Sequence, residues 1–273
     1  MYLQFYGLTE KPFSVTADPS FLYLSKKHKE AISHMLYGIQ ERMGFLEITG
    51  EIGAGKTTVC KALLNQLDSH TKTAFILNGN LPGGQLLQAI IEDFGIQAKS
   101  KNKFTMLSEL NKFLLEQLQH SNNAVLIIDE AQNLKPVLLE QIRLLSNLET
   151  EKEKLLQIIL VGQPELREKL ATRELKQLRQ RIAIRYHIAP LSMREVGHYI
   201  LHRLHVAGCN NGEIFQKEAI EDIFKFSGGI PRLVNILCDK SLLAGYTAEK
   251  KTIDSNLVQR CVREIEGVFD EYC

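Results

Sequence analysis

Gly50-Glu51-Ile52-Gly53-Ala54-Gly55-Lys56-Thr57-Thr58-Val59 reads GEIGAGKTTV, and the rest of the chain is understood from it. Gly50 to Thr57 fit G-x-x-x-x-G-K-[ST] in full, with the apolar FLEIT before them and helical spacing after them. Glycine lets the backbone turn so that successive N–H groups face phosphate oxygens. The start of the following helix adds its positive end. In such a cradle Lys56 reaches the β- and γ-phosphates and the Thr57 hydroxyl sits on Mg²⁺. A glycine-rich turn with a chance lysine is the bland alternative, and it leaves the flanking strand and helix unexplained.

A phosphate cradle of this kind needs an acid at the end of a neighbouring strand. Val125-Leu126-Ile127-Ile128-Asp129-Glu130 supplies one at the carboxyl end of an apolar run, where such folds bind ligands. Asp129 is expected to hold Mg²⁺ through water, and Glu130 to orient and activate the attacking water. Taken alone, the same pattern describes a strand end with solvated acids. Paired with the cradle, it indicates a nucleoside triphosphate site with a hydrolytic carboxylate.

Strands alternate with helices from residue 45 to about residue 190. FLEIT, TAFILN, AVLIID, LLQIILVG and IRYHIAP read as strands, and the continuous apolar runs among them suit a parallel sheet covered on both faces. This predicts an α/β core over 45–190. After Pro190 the strands stop, and four helical stretches make an all-α domain over 191–273. The first of these opens on a capping box, Ser192 with Glu195. Residues 1–44 mix turn signals with one helix, in which Ala31, Met35, Leu36, Ile39 and Met43 recur at helical spacing.

More polar groups should converge on the γ-phosphate, since phosphoryl transfer rests on positioning and charge neutralisation. Gln163, after the strand LLQIILVG, either contacts that phosphate or the water, or caps the helix opened by Pro164. Arg232 lies in the first turn of a helix, where a cation opposes the dipole and invites a compensating anion; a surface arginine is the plain alternative. Arg179, Arg181 and Arg185 in LRQRIAIR either form a solvated basic face or offer a cation to a neighbouring subunit. His198, His202 and His205 share one helical face without a cysteine or carboxylate to complete a metal site, so an ordinary amphipathic helix is expected there. Cys60 reads as a small buried residue.

The 273 residues carry a net charge of +1, with 44% apolar and 24% charged residues. That composition is ordinary for a soluble protein and excludes a global basic field for nucleic acid or an anionic membrane. MYLQFYGLTEKPF lacks the features of a signal peptide, and no apolar run approaches the length of a membrane span. Cys60, Cys209, Cys238, Cys261 and Cys273 are odd in number and scattered, so a reduced, cytosolic protein is expected.

GEIGAGKTT, VLIIDEAQNL, IILVGQPEL, LRQRIAIRYHIAPLS and SGGIPRLVN, in this order, resemble the AAA+ ATPases of the general secretion pathway protein A type (ExeA-like), as does the opening FYGLTEKPFSVTADPSFLYLSKKHKEA. The resemblance runs from about residue 4 to residue 266. It implies a P-loop αβα core with a helical lid, ATP and Mg²⁺ between them, and ring-like or transient oligomers. Lys56 and Thr57 would then be Walker A, Asp129 and Glu130 Walker B, Gln163 sensor 1 and Arg232 sensor 2. On the same resemblance Arg181 would be the trans-acting arginine finger in preference to Arg179, and the segment from Phe13 to Tyr23 would border the adenine.

Full-length members of the secretion branch carry a transmembrane segment and a periplasmic peptidoglycan-binding domain after the ATPase. The present sequence ends at EYC, as an isolated ATPase domain or a shorter pilus-biogenesis (MshM-like) relative does, so direct peptidoglycan binding is not expected of these residues. The implied role is assembly of a secretion or type IV pilus-like apparatus. It would be exercised by a homo-oligomer or with a membrane-anchored partner, at the inner-membrane face. A DNA-associated ATPase of the transposition-helper type is the rival, disfavoured by the balanced charge. A nucleotide-gated scaffold with little turnover is another, disfavoured by Glu130.

Overall fold

The computed structural model describes residues 1–14, 19–77, 83–97, 100, 102–151, 153–209 and 214–267. Residues 15–18 of the segment expected at the adenine, and Cys273, lie outside the described residues. Along the chain run α1 (Tyr2–Tyr6), α2 (Lys26–Gln40), β1 (Phe45–Gly50), α3 (Lys56–Leu64), β2 (Thr71–Ile76), α4 (Gly83–Asp93) and α5 (Lys103–Gln119). There follow β3 (Asn123–Ile128), α6 (Pro136–Leu145), β4 (Gln157–Gly162), α7 (Pro164–Ala171), α8 (Lys176–Arg181), β5 (Ile182–Ile188), α9 (Met193–Val206), α10 (Lys217–Ser227), α11 (Pro231–Thr247) and α12 (Ser255–Ile265). The chain forms two compact units, one of Lys26–Glu51 with Val59–Ile188, the other of Met1–Ser25 with Ile52–Thr58 and Ala189–Cys273.

The first unit is built on a five-stranded sheet in the order β2-β3-β4-β1-β5, parallel at every pairing. β1 and β4 are buried along their whole length and β3 at every residue but its first, which is why these segments read as unbroken apolar runs. The edge strands β2 and β5 mix buried with exposed positions. A parallel sheet sets every strand's carboxyl end along one edge, so the turns after β3 and β4 are neighbours there. One charge interrupts the apolar β1. Glu47 is buried beside Arg185 at 3.3 Å and Arg167 at 3.9 Å. Burial raises its carboxyl above the usual range, and the two arginines pull it part of the way back.

The second unit is helical. Ser192 and Glu195 form the expected capping box at the start of α9, with the Ser192 N–H donating to the Glu195 carboxylate at 2.9 Å. The sequence predicted one helix before residue 44, whereas two α-helices form among the described residues there. α1 is too short for a periodic pattern and exists by packing. Its Tyr2 and Tyr6 are buried, the Tyr2 hydroxyl donates to Asp239, and the Tyr6 hydroxyl donates to the Lys250 carbonyl at 3.0 Å. Gly245 of α11 leaves the room that the Tyr6 ring tip fills.

Arg203 holds the next stretch of the N-terminal segment. It is 6% exposed, donates to the carbonyls of Pro12 and Ser14, and donates to the Tyr199 hydroxyl at 2.9 Å. The Phe21 ring lies 4.9 Å from its guanidinium. A buried cation is tolerable when its donors and its flat faces are all used. Arg203→Leu is therefore expected to lower unfolding stability by about 1–3 kcal/mol for each carbonyl left unpaired. Denaturant unfolding, with limited proteolysis near residues 12–14, measures this, and unchanged stability and cleavage would contradict it.

Candidate nucleotide site

In the helical unit, the segment Ile52–Thr58 carries Gly53 at φ 81° and Gly55 at φ 90°, and runs directly into α3 at Lys56. Gly53 is required twice over. Its left-handed backbone suits glycine, and a Cβ there would overlap the Arg232 Cβ while lying 3.2 Å from the Arg232 Cδ and 3.3 Å from the Ile230 Cγ2. The Gly53 carbonyl accepts the Arg232 N–H at 3.3 Å. α11 opens at Pro231 with no capping side chain, so this contact satisfies one of the donors that a helix start leaves open. Ala54 and Lys56 are buried at 1% and 5% exposure. Gly229, at φ 79°, packs against the Leu191 main chain so closely that any side chain would displace it, and its carbonyl accepts the Leu191 N–H at 2.9 Å. The turn before α11 is thereby fixed, and with it the start of the helix that carries Arg232. The Arg232 guanidinium is exposed and makes no hydrogen bond or ion pair among the described residues.

In the sheet unit, Asp129 follows β3 and is 1% exposed. Its N–H donates to the Ile76 carbonyl at 2.9 Å, extending the β2–β3 ladder past its last strand residue. Its Oδ1 accepts the Glu130 N–H at 2.8 Å. Glu130 adopts the left-handed conformation, φ 53° and ψ 36°, which turns its side chain out of the strand direction. Gln163 caps α7 by backbone position, without a side-chain cap bond, and its Nε2 donates to the Glu130 Oε2 at 3.1 Å. Glu130 and Gln163, two of the expected catalytic residues, thus meet across the ends of β3 and β4.

Sequence reasoning missed two partners on the same sheet edge. Gln132 donates from Nε2 to the Glu130 Oε2 at 2.6 Å. The signal was the amide in DEAQ, within reach once the chain turns after Glu130. Thr49, 1% exposed, pairs its hydroxyl with the His187 Nδ1 at 3.1 Å and ties the ends of β1 and β5 just before Gly50.

The three arginines of LRQRIAIR have different surroundings. Arg181 donates to the Ser146 hydroxyl at 2.7 Å and to the Asn147 side-chain oxygen at 2.6 Å. Arg185 turns to Glu47 and to the Arg179 carbonyl. Arg179 is exposed, and its guanidinium has no partner among the described residues. The histidines of α9 diverge too. His202 packs on the Tyr23 ring at 5.7 Å with its Nε2 buried and unpaired, and burial lowers its pKa, while His198 and His205 are exposed. Among the described residues no cluster of His, Cys, Asp or Glu is arranged to hold a metal ion. Thr57 and Asp129 offer the hard oxygen donors that Mg²⁺ prefers, one or two from the protein with the rest supplied by phosphate and water.

A family model for an AAA domain matches residues 39–170. General secretion pathway protein A of Aeromonas hydrophila is 44% identical over 272 residues, which is 99% of this chain and 50% of that protein. The chain therefore spans half the length of that relative. Among solved structures, Cdc6p of Pyrobaculum aerophilum superimposes with a TM-score of 0.70 at 15% identity, over 93% of this chain and 70% of that one. The Aeropyrum pernix ORC2 protein gives 0.67 at 17%, over 94% and 72%. The Thermotoga maritima RuvB Holliday junction branch migration motor gives 0.56 at 18%, over 91% and 73%. At these identities the likeness is one of fold, a P-loop core with a parallel sheet and a helical C-terminal part. By its motifs, the AAA domain over residues 39–170 and 44% identity along 99% of its own length, the chain belongs to the AAA+ ATPase family of general secretion pathway protein A.

Proposed function

We propose that this chain binds ATP with Mg²⁺, hydrolyses it, and couples turnover to assembly of a bacterial secretion or type IV pilus-like envelope apparatus. The observation that carries the chemistry is the loop Gly50–Thr57, whose glycines take left-handed backbone at Gly53 and Gly55 and whose lysine opens α3. A peptide of that form presents N–H groups to phosphate, and the buried Lys56 is the matching cation. Gly50 to Thr58 form the nucleotide-binding segment in this reading, and Thr57 and Asp129 hold Mg²⁺, which neutralises phosphate charge when bound. Glu130 takes the proton of the attacking water as the water oxygen bonds to the γ-phosphorus and the bond to the ADP oxygen breaks. Gln163 and Arg232 help to place and neutralise the γ-phosphate.

Arg181 is the cation offered to a neighbouring subunit's nucleotide. This requires a homo-oligomer, or a heteromer with a membrane-anchored partner. The envelope client is drawn from the name of the Aeromonas relative. Among the described residues no helix is long and apolar enough to cross a membrane. A membrane-anchored partner would hold the chain at the cytoplasmic face of the inner membrane.

Three outcomes are expected. Lys56→Ala weakens ATP binding about 10- to 100-fold, the worth of one charge-assisted hydrogen bond of about 1.5–3 kcal/mol; retained affinity would remove the loop from the nucleotide. Glu130→Gln still binds ATP but lowers kcat by about 10²–10⁴, the usual contribution of a general base; wild-type turnover would remove Glu130 from that role. Arg181→Ala lowers turnover about 10³-fold and recovers when mixed with Glu130→Gln subunits, because each variant supplies what the other lacks; no recovery would refute a finger acting in trans. The first two use fluorescent-nucleotide titration and phosphate release. The third uses turnover per subunit against protein concentration, with and without double-stranded DNA, and a strong DNA effect would move the client from the envelope to DNA.

A further inference from the structure

Three hydrogen bonds close a ring around Glu130. The Gln132 Nε2 donates to the Glu130 Oε2 at 2.6 Å, the Gln163 Nε2 donates to the same oxygen at 3.1 Å, and the Gln163 backbone N–H donates to the Gln132 Oε1 at 3.1 Å. The amide of Gln132 is thus read at both ends. Were it turned over, its NH₂ would face an N–H and its carbonyl would face a carboxylate, so one orientation satisfies the ring and the other opposes it twice. Gly162 makes room for it, since a Cβ there would lie 2.8 Å from the Gln132 Oε1. The main chain is pinned as well, because Lys169 of α7 donates to the carbonyls of Gln132 and Leu134.

We infer that Gln132 is a positioning residue for the proposed hydrolysis, one that fixes which oxygen of Glu130 serves as the base and ties that oxygen's placement to the turn at Gln163. The inference rests on the reading of Glu130 as the base. Two N–H donors occupy Oε2, whereas Oε1 has no partner among the described residues and keeps its lone pairs for water. A carboxylate on a short side chain rotates freely unless one end is held. Two amides on one oxygen hold it, and a base is effective only within hydrogen-bond reach of the proton it removes. The left-handed turn at Glu130 brings the two side chains together, since it starts the short turn Ala131–Asn133 that returns Gln132 towards the carboxylate. The same ring makes the carboxylate responsive to the β4–α7 turn. A shift of Gln163 in reaching for a γ-phosphate would release or tighten its own bond to Oε2 and its backbone bond to Gln132 together.

Gln132→Met tests this with little change in length or packing, because methionine keeps the unbranched chain and loses both polar ends. The wild type, Gln132→Met, Glu130→Gln and the double variant are compared in single-turnover ATP hydrolysis, and their affinity is read with a fluorescent ATP analogue. Gln132→Met is expected to slow hydrolysis at least 10-fold while ATP affinity stays within about 2-fold, since the amide touches no phosphate. In the Glu130→Gln background the same change is expected to cost nothing further, because its effect passes through the carboxylate. An equal loss in both backgrounds, a loss confined to affinity, or no loss at all would overturn the inference.

The underlying reading fails separately. If Glu130→Gln alone hydrolyses at the wild-type rate, the base assignment is wrong and Gln132 loses its role with it. Selective labelling of glutamine side-chain nitrogen supplies a readout that does not depend on turnover. The Gln132 and Gln163 amide signals should both move on Glu130→Ala, and amides that ignore that change would show that the ring does not form in solution.

Discussion

Asp129 is 1% exposed at the end of a strand whose interior is wholly apolar. A carboxylate taken out of water must find donors or a cation, and the local backbone is bent to supply them. The N–H that follows it is turned onto Oδ1, which puts Glu130 in a left-handed conformation that a residue with a side chain adopts only at a cost of about 1–2 kcal/mol. That strain aims Glu130 across the sheet edge toward the neighbouring strand end. Gln132 and Gln163 then have a carboxylate to hold, and Lys169 has carbonyls to hold the turn in place. The polar cluster at this edge is a consequence of ending a buried strand in an acid.

The helical unit is organised by close approach in place of charge. At Gly53 the Arg232 and Ile230 side chains lie where a Cβ would be, and at Gly229 the Leu191 main chain does. Each contact carries a main-chain hydrogen bond, Arg232 to Gly53 and Leu191 to Gly229. Loop and helix start are therefore joined through atoms that every residue possesses, but only glycine exposes them at this distance. The spacing of SGGIPR has this origin. Two glycines end α10 and pass Leu191, isoleucine and proline open α11, and the arginine falls in the first turn with its head in solvent. The backbone beneath Arg232 fixes where its side chain starts and leaves the charged end available to an anion.

Much of this was legible from residue order because the chemistry is local. The cradle, the strand-end acids and the capping box are contiguous patterns, and buried parallel strands announce themselves as apolar runs. What escaped the sequence depends on which segments meet. α1 is held by Tyr2 and Tyr6 against distant residues, and five residues hold no period to detect. Glu47 reads as a break in an apolar strand, and only the fold shows that Arg167 and Arg185 flank it. Gln132 was in plain view in DEAQ, yet its role required the Glu130 turn and the neighbouring strand end to be known first. Gln163 was read as either a contact of the γ-phosphate or its water, or a helix cap; it occupies the N-cap position of α7 by backbone alone, and the bond of its amide to Glu130 belongs to neither reading.

The arginine bound within its own unit bears on how subunits would cooperate. Arg181 spends donors of one nitrogen on Ser146 and Asn147, which follow α6, so its guanidinium is anchored at one corner. A guanidinium has five donors in a planar fork, and anchoring one corner leaves the others directed outward along a defined plane. An arginine free in solvent would have to surrender its rotamer freedom each time it met a phosphate, at an entropic cost of about 1.5–2 kcal/mol for so long a side chain. Arg179, exposed and without such an anchor, would bear that cost in full. Pre-orientation therefore favours Arg181 of the two as the residue offered in trans. It also makes the end of α6 part of the device, because moving Ser146 and Asn147 would move the plane in which the charge is presented.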